Sequence, residues 1–170
     1  GALSEIAHRV PSSSKTVLGR FAYIVQGVKE ISSFSFDTIP LRYEINGMTF
    51  DTETFLFIVA NSSSVGGFSK IAPYAKLNDG LMDVCILKKI DAVDAVPLFA
   101  QINTGKHAKE NKCVTYMQTD KITISKLNEN DEFPVDYDGE CGNPLPATIE
   151  VVHKALKILV PKNGKKINNL

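Results

Sequence analysis

Two carboxylates, Asp138 and Glu140, flank one glycine in the stretch Phe133-Pro-Val-Asp-Tyr-Asp-Gly-Glu-Cys141. On an extended chain, residues two apart share a face. A strand here would therefore present both carboxylates side by side, with Gly139 letting the backbone turn or a ligand approach closely. Carboxylates so placed can take the proton from a substrate hydroxyl or hold a divalent cation. Asp-Gly is equally a hairpin turn, so a purely conformational role stands beside the chemical one. A second oxygen-rich segment is Lys76-Leu77-Asn78-Asp79-Gly80-Leu81. One carboxylate and two backbone carbonyls would make a weak site for a hard cation. The alternative is a plain Asn-Asp-Gly turn; Asp83, just beyond it, reads as structural. Asn61 closes an apolar run and precedes Ser62–Ser64 and the pair Gly66-Gly67. An Asn there can bond a ligand or tie its own turn, and the glycines would admit a substrate close to the backbone.

Other chemistries lack their residues. His8, His107 and His153 show no metal-ligand spacing, and no second His or Cys accompanies any of them, which argues against zinc. His107, in Gly105-Lys106-His107, invites a reading as a base but suits a packing or surface role better. No Gly-x-Ser-x-Gly, Gly-x-x-x-x-Gly-Lys-Ser/Thr or Gly-x-Gly-x-x-Gly occurs. Cys85, Cys113 and Cys141 are odd in number and widely spaced, as in a reduced, cytoplasmic setting. Cys85 lies in an apolar run and reads as core; two carboxylates near Cys141 disfavour its thiolate. Nineteen basic residues balance nineteen acidic ones, which gives no electrostatic case for nucleic acid. The apolar runs, such as Phe55–Ala60, are too short to span a bilayer as a helix.

The elements that must position these residues are mostly strands. Apolar residues recur at helical steps from Val17 to Ile31, which predicts a core-facing helix over 16–31. Ser33–Asp37 alternates polar and aromatic residues as a strand does. Leu41–Ile45 and Met48–Asp51 flank Asn46-Gly47, a strong hairpin signal. Thr54–Ala60 and Met82–Lys88 read as buried strands. A helix follows, with Asp94 as its cap, Pro97 in its first turn and Gly105 as its stop. Lys112–Met117, Lys121–Leu127, Thr148–Val152 and Ala155–Val160 read as further strands. The 170 residues, 44% of them hydrophobic, suit one domain. The expected fold class is mainly β (α+β): a two-layer β-sandwich-like domain with two helices.

The segment Asn61…Gly66-Gly67…Ile71-Ala72-Pro73-Tyr74-Ala75…Asp79-Gly80-Leu81-Met82-Asp83, taken with the downstream Asp-Gly-Glu, resembles the bacterial soluble diacylglycerol kinases. Val10-Pro11-Ser12 and Lys15–Tyr23 are similar to the stretch that opens the second domain of those enzymes. The resemblance runs from about Gly1 to about Pro161. It implies the C-terminal, lipid-substrate domain of a two-domain kinase that moves the γ-phosphoryl of ATP to a lipid hydroxyl, most simply diacylglycerol to phosphatidic acid. It places the catalytic base in Asp138-Gly139-Glu140 without choosing between the two carboxylates. It implies a Mg²⁺ site on the Lys76 carbonyl, the Asp79 carboxylate and the Leu81 carbonyl. It puts Asn61, Gly66 and Gly67 beside the substrate cleft, although the serine-rich version here departs from the bulkier or glycine-richer one in many members.

The family's Gly-Gly-Asp-Gly-Thr phosphate loop is absent. The chain is therefore expected to be a fragment that follows a nucleotide-binding half, inactive alone, with ATP bound mainly by that other domain. Cytoplasmic location, peripheral at the membrane, and a homodimer of the kind common in the family are further expectations; nucleic acid is not an expected partner. The alternatives are a stand-alone β-sandwich module for a lipid or small ligand, and a related kinase with a sphingoid or other acceptor.

Overall fold

The structure is a computed structural model that describes residues 38–157 and 159, with 66, 67, 132 and 134 excepted. The helix expected over 16–31 and the strand expected over 33–37 lie outside the described residues. The elements are β1 (Ile39–Ile45), β2 (Met48–Ala60), β3 (Met82–Lys88), α1 (Ala92–Thr104), α2 (His107–Glu110), β4 (Val114–Thr119), β5 (Lys121–Lys126), β6 (Asp136–Tyr137), β7 (Glu140–Cys141) and β8 (Ala147–Glu150).

Asn46 and Gly47 both take positive φ, 51° and 73°, and join β1 to β2 in the tight turn their sequence predicts. The two strands expected over Met48–Asp51 and Thr54–Ala60 are one continuous strand of 13 residues. Up to Thr54 it pairs with β1; from Thr54 onward it pairs with β3, and the register shifts between Thr54 and Leu56. Such a bulge bends a strand and lets it serve two layers.

Six strands hydrogen-bond in the order β4-β3-β2-β1-β5-β8, every pair antiparallel. Three strands separate β4 from β5 in that order, yet only Asp120 separates them in the chain. Two trans peptide steps span at most about 7.6 Å. The sheet must therefore fold over until the end of β4 meets the start of β5. This closure makes the two layers. One holds β1, the first half of β2, β5 and β8; the other holds the second half of β2, β3 and β4.

Between the layers lie Leu41, Tyr43 and Ile45 of β1, Met82, Val84 and Ile86 of β3, and Ile122 and Ile124 of β5, with Phe133, Val135 and Leu145 from the loops. The alternate residues of β3, Cys85 and Leu87, face a second cluster with Phe68, Ile71 and Ala72 of the β2–β3 loop and Ala95, Leu98 and Ile102 of α1. Buried on both faces, β3 has no room for a polar alternation. Burial pushes the Cys85 thiol up to about 12, as befits a core residue. The fold class is as the sequence predicts, mainly β and sandwich-like; of the two helices among the described residues, α1 answers to the helix expected before Gly105 and the short α2 is not among those expected.

Some boundaries differ. The residue that precedes α1 is Asp91 rather than Asp94, so Pro97 lies inside the helix and not in its first turn. The helix gains this extra turn because Ala95, Leu98 and Ile102 dock on the sheet, and packing outweighs the local signal. Gly105 ends it as expected, at φ 79°, with its N–H on the Ile102 carbonyl. Residues 155–157 form no strand; the Ala155 N–H closes a turn on the Val152 carbonyl, and Lys154 takes a positive φ of 57°. Among the described residues no helix is long and apolar enough to cross a membrane.

Candidate functional site

Asp138 and Glu140 do not share one strand. β6 and β7 form a minimal hairpin in which Tyr137 pairs with Glu140, and Asp138-Gly139 is its two-residue turn at φ 53° and 95°. A turn with both central residues in the left-handed region matches the twist of so short a ribbon, and Asp-Gly is among the pairs that favour it. The side-by-side strand arrangement is thus replaced: Asp138 sits at the tip and Glu140 opens the return strand. Buried Phe133 and Val135 anchor the hairpin at its base, and the Gly142 N–H bonds the Val135 carbonyl at 2.9 Å. Asp136 Oδ1 accepts the Gly139 N–H at 2.7 Å and stiffens the turn. Sequence reading missed this third carboxylate; an Asp three residues before a turn glycine is the signal that could have found it. Asp138 and Glu140 are both exposed and open to a ligand.

The Asp79 turn is also built locally. Asp79 Oδ1 accepts the Leu81 N–H at 3.0 Å, and Gly80 takes φ 78°. A β-carbon on Gly80 would stand 2.7 Å from His153 Nδ1, so the turn is seated against that ring. A carboxylate oxygen of Asp79 and the backbone carbonyls of Lys76 and Leu81 are hard oxygen donors, of the kind Mg²⁺ takes. Among the described residues, no three His, Cys, Asp or Glu are grouped to hold a metal ion. Asn61 follows the last residue of β2 and is exposed, while Ser62 Oγ donates to the Ser64 carbonyl at 2.9 Å. Gly66 and Gly67 lie outside the described residues, between the bridged pair Val65 and Phe68.

A buried polar network connects this region to the helices. Asp83, 1% exposed, accepts the Tyr116 hydroxyl proton and lies 3.3 and 3.4 Å from Gln118 Nε2. Burial raises its pKa, the hydrogen bonds from Tyr116 and Gln118 oppose that rise, and the nearby charge of Asp79 adds to it. Gln118 Nε2 also donates to the Tyr74 carbonyl at 3.3 Å, and the Tyr74 ring meets Tyr116 edge-on. His107 is fully buried. Its Nε2 donates to the Ile71 carbonyl at 3.0 Å, and its ring lies edge-on to Tyr116. It is a packing histidine that pins α2 to the β2–β3 loop. Sequence reading left Tyr116 and Gln118 aside. Their two-residue spacing on one strand, with Gln118 opposite Asp83, is a register fact no local pattern reveals.

Comparison with known proteins defines the class. Residues 2–160 match the family described as the YegS C-terminal NAD kinase beta sandwich-like domain. The chain belongs to that family. Curated relatives include a diacylglycerol kinase of Bacillus subtilis (strain 168), 32% identical over 162 residues, which are 95% of this chain and 52% of that protein. A diacylglycerol kinase of Staphylococcus aureus (strain Newman) is 30% identical over 172 residues, covering 99% of this chain and 53% of its own. The chain thus spans about half the length of these relatives. A crystal structure of a proposed diacylglycerol kinase from Bacillus anthracis str. Sterne superposes with a TM-score of 0.60 at 24% identity, over 82% of this chain and 46% of that one. At that identity the likeness speaks for the fold.

Proposed function

We propose that this chain is the lipid-facing half of an ATP-dependent kinase that phosphorylates a lipid hydroxyl, with diacylglycerol as acceptor and phosphatidic acid as product. The observation that carries the reading is the 32% identity with the Bacillus subtilis diacylglycerol kinase, sustained over 162 residues. The exposed Asp138-Gly139-Glu140 hairpin supports it, because phosphoryl transfer asks the protein for positioning, charge compensation and a group to receive the acceptor proton. Asp138 or Glu140 takes that proton as the bond from the acceptor oxygen to the γ-phosphorus forms and the bond from that phosphorus to the bridging oxygen breaks, with ADP as the leaving group. Asn61, Gly66 and Gly67 are the residues assigned to binding the acceptor. A Mg²⁺ ion held by Asp79 and the carbonyls of Lys76 and Leu81 would supply positive charge that fixes their turn. A separate nucleotide-binding domain supplies ATP, and the enzyme works at the cytoplasmic surface of the membrane as a peripheral protein, with homodimerisation as in its class.

The test is transfer of labelled phosphate from ATP to diacylglycerol in mixed micelles, using a full-length protein that carries this chain. Phosphatidic acid forms with the wild type. The Asp138→Ala or the Glu140→Ala variant, whichever removes the base, falls by about 10²–10⁴-fold. The 170-residue chain alone transfers nothing. Full activity in both variants would reduce the hairpin to a turn, and no transfer by a folded wild type would redirect the reading to another acceptor.

A further inference from the structure

A cleft of about 570 Å³ opens between the β2–β3 loop and the α1–α2 corner, away from the Asp-Gly-Glu hairpin. Lys70, Lys106 and Lys109 line it, with Ser69, Tyr74 and Glu110. Three lysines face one glutamate in a chain whose net charge is zero, so the positive potential is local to this wall. Among the described residues none of the three lysines is ion-paired, and all three are exposed. Their ammonium groups carry no carboxylate partner there.

The cleft is also pre-formed. Gly105 brings the α1–α2 corner so close to the loop that a β-carbon there would stand 2.9 Å from Pro73 Cβ, and the same corner carries Lys106. Lys109 Nζ sits 5.2 Å from the centre of the Tyr74 ring, a cation–π seat that restrains its ammonium at the wall. Tyr74 is held in turn by its edge-on contact with Tyr116, whose hydroxyl is anchored on buried Asp83. His107 ties α2 to the opposite wall through the Ile71 carbonyl. Lysines on restrained walls lose less freedom on binding than lysines on open loops.

We propose that this cleft binds a phosphate group, through ammonium contacts from Lys70, Lys106 and Lys109. Phosphate is the anion that rewards several cations converging from two walls, since it offers acceptor oxygens in every direction. The group belongs either to a free phosphate compound or to a phospholipid headgroup. The proposal stands on the cleft itself and does not depend on the kinase reading.

The full chain is titrated with pyrophosphate at constant, low ionic strength, and separately mixed with two kinds of vesicle. One is pure phosphatidylcholine; the other contains equal parts phosphatidylcholine and phosphatidic acid. Amide shifts report the first binding and co-sedimentation the second. The expected result is binding in at least one arm, weakened about tenfold or more by the double change Lys70→Gln with Lys109→Gln. The pair Lys121→Gln with Lys157→Gln, a double change of equal charge at exposed positions outside the cleft, leaves it unaltered. Matching thermal melts show that the variants are folded. Lysine-dependent pyrophosphate binding identifies a free phosphate ligand; lysine-dependent binding to the phosphatidic acid vesicles alone identifies a headgroup. No binding in either arm, or binding that survives the double change, overturns the proposal.

Discussion

At Asp83 two demands pull against each other. The side chain lies on the face of β3 that packs under the loop and helices, where a carboxylate loses its water. Tyr116 and Gln118 return part of that solvation as hydrogen bonds. Burial still wins, and the folded pKa lies above the ordinary carboxylate value. The sign of the pH effect follows from linkage. A group with a raised folded pKa contributes stability that is complete below its unfolded pKa, about 4, and is lost as pH rises through the folded value. Asp83→Asn removes that titration. The difference in unfolding free energy, wild type minus variant, should fall as pH rises through this window and then level off. Urea denaturation at a series of pH values reads it directly. A flat difference would mean that Asp83 is as well solvated inside as outside. Asp51 titrates in the opposite sense, since Arg42 holds it below the usual value, but it is common to both proteins and cancels.

Among the elements, α1 carries a visible cost. Pro97 inside the helix donates no hydrogen bond to the carbonyl of residue 93, and its ring crowds that group. An interior proline costs a helix about 3 kcal/mol, while its stiffening of the unfolded chain returns about 0.4–1 kcal/mol. Pro97→Ala should therefore stabilise the protein by about 2–2.6 kcal/mol, seen as a higher denaturation midpoint; a loss of stability would show that the ring contributes packing. The same helix shows where sequence reading reaches and where it stops. Gly105 was legible as a stop because only a left-handed cap suits that position. The start was not, because Asp91 and Asp94 are equivalent local signals and the docking of Ala95 on the sheet decides between them. The Asn46-Gly47 hairpin and the span of β3 were legible for similarly local reasons. The fusion of two expected strands into β2 was not, since the bulge after Thr54 is set by which neighbour each half pairs with. At the site, the carboxylates of Asp138 and Glu140 could be picked out from the motif. Their arrangement across a turn depended on whether the segment Asp136–Cys141 stayed extended or folded back, and the left-handed turn residues tipped it.

For the molecule as a whole, one corner determines whether there are two layers or one open sheet. Asp120 alone bridges β4 and β5, and the chain around it is stitched to itself. Thr119, 2% exposed, donates from its hydroxyl to the Lys121 carbonyl at 2.8 Å and accepts the Lys121 N–H at 3.1 Å. Asn46, at the tip of the first hairpin, donates to the Gln118 carbonyl, and the Val151 N–H bonds the Asp120 carbonyl. Both layers thus meet at three residues. Thr119→Val keeps the shape of the side chain and removes both hydroxyl bonds, leaving an amide and a carbonyl without a partner in a confined corner. Each such orphan costs about 1–3 kcal/mol, so a loss of about 2–4 kcal/mol is expected, since the exposed edge of the corner lets water recover part of it. Because the corner holds the layers together, the loss should appear as a lower midpoint in a single cooperative transition, with amides of β1 and of β3 losing protection against hydrogen exchange together. Loss confined to β5 and β8, with β3 and β4 still protected, would show that the layers are held by their shared core rather than by the corner.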